Sequence, residues 1–333
     1  MRGVFVIAIA LWVCSGSACS GSSHDTEPAR PHARAVAPAP PPSSTGVADV
    51  PPLPPSTYPA PDRLIAIGDV HGDLDAFESA LVAAGAIDAA DHWIGGTLYV
   101  VQVGDLLDRG DQERAIFELV DRLEDEALAA GGRLIALNGN HEFMNTEGDF
   151  RYVTPGGYAD FAPFAADATG PAYDAMPRTV RGRAAAFRPG GPYARGLASH
   201  ATIVMVGETL FVHGGAQASY LEDGLDEINQ DGRAFFLGQA PLSQTLAADD
   251  GPIWYRGFAL ADDPATCARL DDALAVVHAR RMVIGHTKQE HGITTACEGH
   301  VVRVDVGLAR IYDGPIEVLE ITGDTTRVIS GTR

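Results

Sequence analysis

Five short stretches of the chain concentrate residues that can hold metal ions. They are Gly68-Asp69-Val70-His71-Gly72, Gly104-Asp105-Leu106-Leu107-Asp108-Arg109-Gly110, Gly139-Asn140-His141-Glu142, His213-Gly214-Gly215 and Gly285-His286. The ligand set they supply is two or three carboxylate oxygens, one amide oxygen and three of their four imidazoles. Such a mixed nitrogen and oxygen set suits Mn²⁺, Fe or Zn²⁺ better than Ca²⁺ or Mg²⁺. It is also too large for one open metal site. Two ions about 3.5–4 Å apart, bridged by one carboxylate, would use all of it.

Each stretch follows an apolar run of strand length. Leu64-Ile65-Ala66-Ile67 precedes the first, Thr97 to Val103 the second and Arg133 to Leu137 the third. Between them lie helical patterns. Asp73 can cap a helix from Leu74 to Ala84. Ile116, Leu119, Val120 and Leu123 share one face of a helix from about Glu113 to Ala130. This βαβαβ order implies an α/β fold with a parallel sheet. Ligands that end parallel strands collect on one rim. Further on, Ala201 to Val206 and Thr209 to Val212 form a hairpin, and later strands run from Met282, Val301, Ile316 and Thr326.

The motif series resembles that of calcineurin-like metallophosphoesterases. Asp108-Arg109-Gly110 narrows the resemblance to the phosphoprotein phosphatase type. Pro252-Ile253-Trp254-Tyr255-Arg256-Gly257, with an export signal, is similar to the Shewanella-like branch. The resemblance covers roughly Leu64 to Ile321 and implies a four-layer β-sandwich of mixed sheets flanked by helices. It implies one ion held by Asp69, His71 and Asp105, and a second by Asp105, Asn140, His213 and His286. Manganese is expected, with iron or zinc as alternatives. Arg109 and Arg256 would clamp the phosphate, beside Tyr255. His141, oriented by Asp108, would protonate the leaving oxygen, and a metal-bridging hydroxide would attack phosphorus. Lys288 stands where many phosphodiesterases of the superfamily carry a second His, which favours the phosphatase branch. The implied function is hydrolysis of phosphate monoesters, on phosphoprotein (tyrosine or serine/threonine) or a small ester. Diadenosine polyphosphate hydrolysis and a catalytically silent metal-binding module are the alternatives. On their own, Arg256 could be a surface charge and Tyr255 a packing residue. His200, His278 and His291 match no ligand motif.

The rest of the 333 residues bounds where this chemistry happens. The net charge of −20 argues against non-specific nucleic-acid binding. Residues 1–18 carry Arg2, an apolar run too short to span a bilayer, and small residues, which marks a signal peptide. Cys19 after Ser17-Ala18 resembles a bacterial lipobox, with Gly16 where Leu is usual, so an exported, lipid-anchored protein is expected ahead of plain secretion. Residues 19–62 form a Pro/Ala/Ser-rich tether, and 63–333 the catalytic domain. Cys267 and Cys297 are left as a disulfide or as two buried thiols. Residues 148–199 carry six Arg against four Asp, with aromatic residues, and lie directly after the third motif. They are expected as a lid over the site, or as a solvated loop.

Overall fold

The computed structural model describes residues 52–333. The signal peptide, Cys19 and most of the tether lie outside them. Among the described residues, eleven strands form two mixed sheets. The first has the order β11-β10-β2-β3-β4, with β2 Leu64–Ile67, β3 Tyr99–Gln102, β4 Arg133–Ala136, β10 Glu317–Thr322 and β11 Thr325–Ser330. Strands β2, β3 and β4 run parallel, and β10 and β11 are added antiparallel. Helices α1 (Leu74–Ala83) and α2 (Glu113–Ala129) make the two crossovers, and Asp73 caps α1 by accepting from Ala76 N–H. The second sheet has the order β1-β5-β6-β7-β9-β8. Its strands are β1 Thr57–Tyr58, β5 Ile203–Val206, β6 Thr209–Val212, β7 Arg281–Ile284, β8 Thr294–Ala296 and β9 Val301–Arg303.

Side-chain alternation sorts the strand residues into two cores. Leu64, Ala66, Val101, Val103, Ile135, Phe211, Val283 and Val302 face the space between the sheets. Ile65, Ile67, Val100, Leu134, Leu210, Met282 and Ile284 face the helices. Strands buried on both faces read as continuous apolar runs, as these do. The outcome is the four-layer arrangement expected, with β2, β3, β4, β6, β7 and β9 ending at a common rim.

Two features differ from the sequence expectation. The Pro-rich composition carries the tether to residue 62, yet Thr57 and Tyr58 pair in parallel with Met205 and Val206 of β5. Tyr58 also meets Tyr99 edge-on at 6.4 Å. Two residues are too few for a periodic signal, so neighbouring prolines dominate the local pattern. The 148–199 segment is divided in burial. Phe161, Arg183, Phe187 and Leu197 are fully buried, whereas most of residues 162–177 is exposed. Cys267 and Cys297 are joined, tying the helix Pro264–Val276 to the turn after β8.

Candidate active site

The rim is built from strand-end turns that hold ordinary residues in an uncommon backbone region. His71, Asp105, Asp108, Arg109 and His286 all have positive φ, between 48° and 69°. Such conformations persist where surrounding bonds over-determine them. Here the Asp105 carbonyl accepts the N–H groups of Val70 (3.0 Å) and His71 (2.9 Å). The Glu142 carboxylate accepts from Asp105 N (2.9 Å), Leu106 N (2.9 Å) and Gly139 N (2.7 Å), strapping the second turn to the third. Two glycines make room for the carboxylates. A Cβ on Gly139 would stand 2.3 Å from Asp105 Oδ1, and one on Gly285 2.4 Å from Asp69 Oδ1.

Two groups of buried side chains could each hold an ion: His71, Asp105 and His141, and Asp105, His213 and His286. Asp105 belongs to both, as a bridge must. Asp69 Oδ2 stands 3.9 Å from His71 Nε2, and Asp105 Oδ2 3.8 Å from it. Asn140 Oδ1 lies 2.9 Å from His213 Nε2, with Asp105 Oδ2 at 3.3 Å. Every residue expected as a ligand is thus gathered on one rim.

The tautomers test whether ions fit. His71 Nδ1–H donates to the Leu107 carbonyl at 2.9 Å, and His213 Nδ1–H to the Val103 carbonyl at 2.9 Å. His286 Nε2–H donates to the Trp254 carbonyl at 3.1 Å. The other nitrogen of each ring is the one left to a cation. Those of His71 and His213 face carboxylate and amide oxygens, and without an ion His213 carries a proton there. Divalent cations suit that donor set, and fixing the second ring nitrogen on a carbonyl is how ligating histidines are oriented. The charges agree. Burial, reinforced by Asp305, raises Asp69 well above the usual carboxylate range. Burial pushes Asp305 itself up to about 6. Burial opposes a charge on His213, but Asp105 and Asp69 outweigh it and push it up to about 9.

His141 of the first group also takes part in a second arrangement, through its other ring nitrogen. His141 Nδ1–H donates to Asp108 Oδ2 at 2.6 Å. Burial disfavours its charge, yet Asp105 and the Asp108 bond push it up to about 9. Arg109 lies over the Tyr152 ring (4.3 Å) and near the Tyr312 ring (5.4 Å). Its buried Nε has no hydrogen-bond partner among the described residues. Arg256 Nη1 donates to the His286 carbonyl (2.6 Å) and Thr287 Oγ1 (3.1 Å), which places it at the edge of the second group. Tyr255 packs edge-on against Phe258 at 4.8 Å.

Some site residues are not evident from the motifs. Asp305 follows β9 in a strand-end Asp-x-Gly pattern like that of the earlier stretches, and that signal could have found it. Glu142 matches no protease motif, but its place three residues after Gly139 is a capping spacing. Glu113, Asn145 and Arg183 surround Asp108, and nothing in their spacing announces it. His200 joins Asp121 and Glu124 in a third group.

The chain is similar to several known proteins. A family model for calcineurin-like phosphoesterases matches residues 62–290. The chain is 39% identical over 300 residues to Shewanella-like protein phosphatase 2 of Arabidopsis thaliana, covering 80% of this chain and 76% of that protein. It is 29% identical over 256 residues to Shewanella-like protein phosphatase 1 of Plasmodium berghei, covering 74% and 67%. The crystal structure of a cold-active protein-tyrosine phosphatase from a psychrophilic Shewanella species superposes with a TM-score of 0.68, at 26% identity, over 84% of this chain and 83% of that one. The motifs, the two-sheet fold and these matches agree that the chain belongs to the calcineurin-like phosphoesterase family and is a metal-dependent hydrolase of phosphoric monoesters.

Proposed function

We propose that the protein is a phosphoprotein phosphatase that takes phosphotyrosine in preference to phosphoserine. The observation that carries the reading is the His141–Asp108 pair, set 2.6 Å apart where two groups of candidate ion ligands share Asp105 and His141 itself borders the first. Asp69, His71 and Asp105 would hold one ion, and Asp105, Asn140, His213 and His286 the other, with manganese the expected metal. When bound, the ions supply an activated water and positive charge facing the phosphate. Arg109 and Arg256 bind the phosphate oxygens, a task that suits planar forks. His141 keeps a proton on Nε2 for the leaving oxygen, while Asp108 holds its Nδ1–H and balances its charge. The Tyr152 and Tyr312 rings, 4.3 and 5.4 Å from the Arg109 guanidinium carbon, lie next to the group that would bind the phosphate. They support a substrate whose ester oxygen sits on a ring, as does the name of the Shewanella protein-tyrosine phosphatase.

The test is turnover of phosphotyrosine and phosphoserine peptides and of diadenosine polyphosphates, with each metal restored to apo-protein. Faster phosphoserine turnover would reverse the preference. Diadenosine hydrolysis above both peptides would replace the substrate class, and inactivity with every metal would leave a binding module. Export with a lipid on Cys19 is part of the same reading, supported by the Cys267–Cys297 disulfide, since such bonds persist in oxidising compartments. Cys19→Ala should move the protein from the membrane fraction to the soluble one.

A further inference from the structure

Arg183 belongs to the 148–199 segment, far in sequence from every motif. Its side chain is fully buried. All five of its N–H donors are matched. Nε donates to Asn145 Oδ1 at 2.7 Å. Nη1 donates to the Gly157 carbonyl at 3.2 Å and to Glu113 Oε2. Nη2 donates to Asp108 Oδ1 at 3.0 Å and to Glu113 Oε1 at 2.9 Å. The Phe161 and Phe187 rings lie 5.0 and 5.1 Å from the guanidinium carbon.

The partners lead to the chemistry. Asp108 uses Oδ2 for His141 and Oδ1 for Arg183 and for Asn145 Nδ2 (3.1 Å). Asn145 is itself oriented, because its Oδ1 accepts from Arg183 while its Nδ2 also donates to the His141 carbonyl at 2.9 Å. Glu113 accepts the Asp108 N–H and thereby fixes the turn on which Asp108 sits. Two buried carboxylates, Asp108 and Glu113, would repel each other; the guanidinium lies between them. With His141 protonated, the four groups sum to zero charge, which a buried cluster favours.

We propose that Arg183 is a positioning residue for the general acid. It holds Asp108 charged and turned toward His141, so the 148–199 segment supplies a part of the catalytic apparatus and not a cover alone. This rests on the assignment of His141 as the acid.

The experiment measures kcat/KM over aryl and alkyl phosphates of graded leaving-group pKa, at matched metal content, for Arg183→Lys, Arg183→Met and His141→Ala. Lysine keeps the charge and most of the volume but loses the fork, so it guards against loss of fold in the methionine variant. The expected result is a selective loss. Alkyl phosphates should slow on the order of 10-fold more than nitrophenyl phosphate in Arg183→Met, and by less in Arg183→Lys, with ion content unchanged. The loss should stay below that of His141→Ala, because Arg183 acts through Asp108. If His141→Ala shows the selective loss and a folded Arg183 variant slows every leaving group alike, Arg183 is structural only and the proposal falls. If His141→Ala itself shows no selectivity, the acid assignment fails first and takes the proposal with it.

Discussion

His141 and Arg109 answer to different parts of the same reaction, and substitution should separate them. A donated proton matters most when the leaving oxygen is a poor leaving group. His141→Ala is therefore expected to slow a phosphoserine peptide on the order of 10²-fold more than nitrophenyl phosphate. Asp108→Asn should show the same pattern more weakly. Arg109→Ala should slow both about equally, because the phosphate charge is common to them. Equal slowing of all leaving groups by His141→Ala would reduce that residue to a support of the ion sites. Asp105 makes a second expectation. Elemental analysis should find two ions per chain, and Asp105→Asn should lose both, since its carboxylate stands in each group. A single ion in the intact protein would refute the shared bridge. These residues are legible in the sequence because Gly-flanked acids and histidines end one apolar run after another, a pattern that packing alone does not require. Arg183 is not legible. An arginine among six in a basic stretch looks like surface charge, and only its five matched donors reveal its place.

At the scale of elements, the strand-end turns carry the precision. Gly285 lies where any Cβ would meet Asp69 Oδ1 at 2.4 Å. Gly285→Ala should cost about 1–3 kcal/mol by overpacking and weaken ion binding roughly 10- to 100-fold, as loss of an orienting contact does. Calorimetric unfolding and metal titration check the two parts. The 148–199 segment calls for a finer cut than its sequence suggests. Replacing residues 163–176 with a short Gly-Ser link leaves Arg183, Phe161 and Phe187 in place. If the exposed part selects the substrate's organic portion, peptide selectivity should change more than aryl phosphate turnover. Unchanged selectivity would make that part a solvated loop. The strands of both sheets are readable from their apolar runs. The division of this segment is not, because short helices such as Arg178–Phe187 bury small alanines that leave a weak pattern.

For the whole molecule, one partly buried carboxyl away from the rim makes stability follow pH. Glu124 on α2 is pushed up to about 8 by burial and by Asp121. Between its ordinary value of 4.5 and about 8 the folded state keeps a proton that the unfolded chain has lost, so stability falls as pH rises through that window. Glu124→Gln removes the titration. Its gain in Tm over the parent should grow from pH 5 to pH 8 in apo-protein. The gain should be small, because the side chain is 35% exposed and solvent screens it. A gain that is flat with pH would show that Glu124 does not titrate in this range. The four-layer plan is legible through the resemblance of the motif series, because strands buried on both faces read as continuous apolar runs, whereas β1 is hidden by prolines. The exposed residues 162–177 have one more consequence. Asp69, His71, Asp105 and Asn140 all precede them in the chain, and His213 and His286 both follow. A protease nick there would yield two pieces with the ion ligands divided between them. The second ion group would then exist only after the pieces reassociate. Ion uptake would act as a reporter of that complementation, and the enzyme could be rebuilt as a split sensor whose signal is its own turnover.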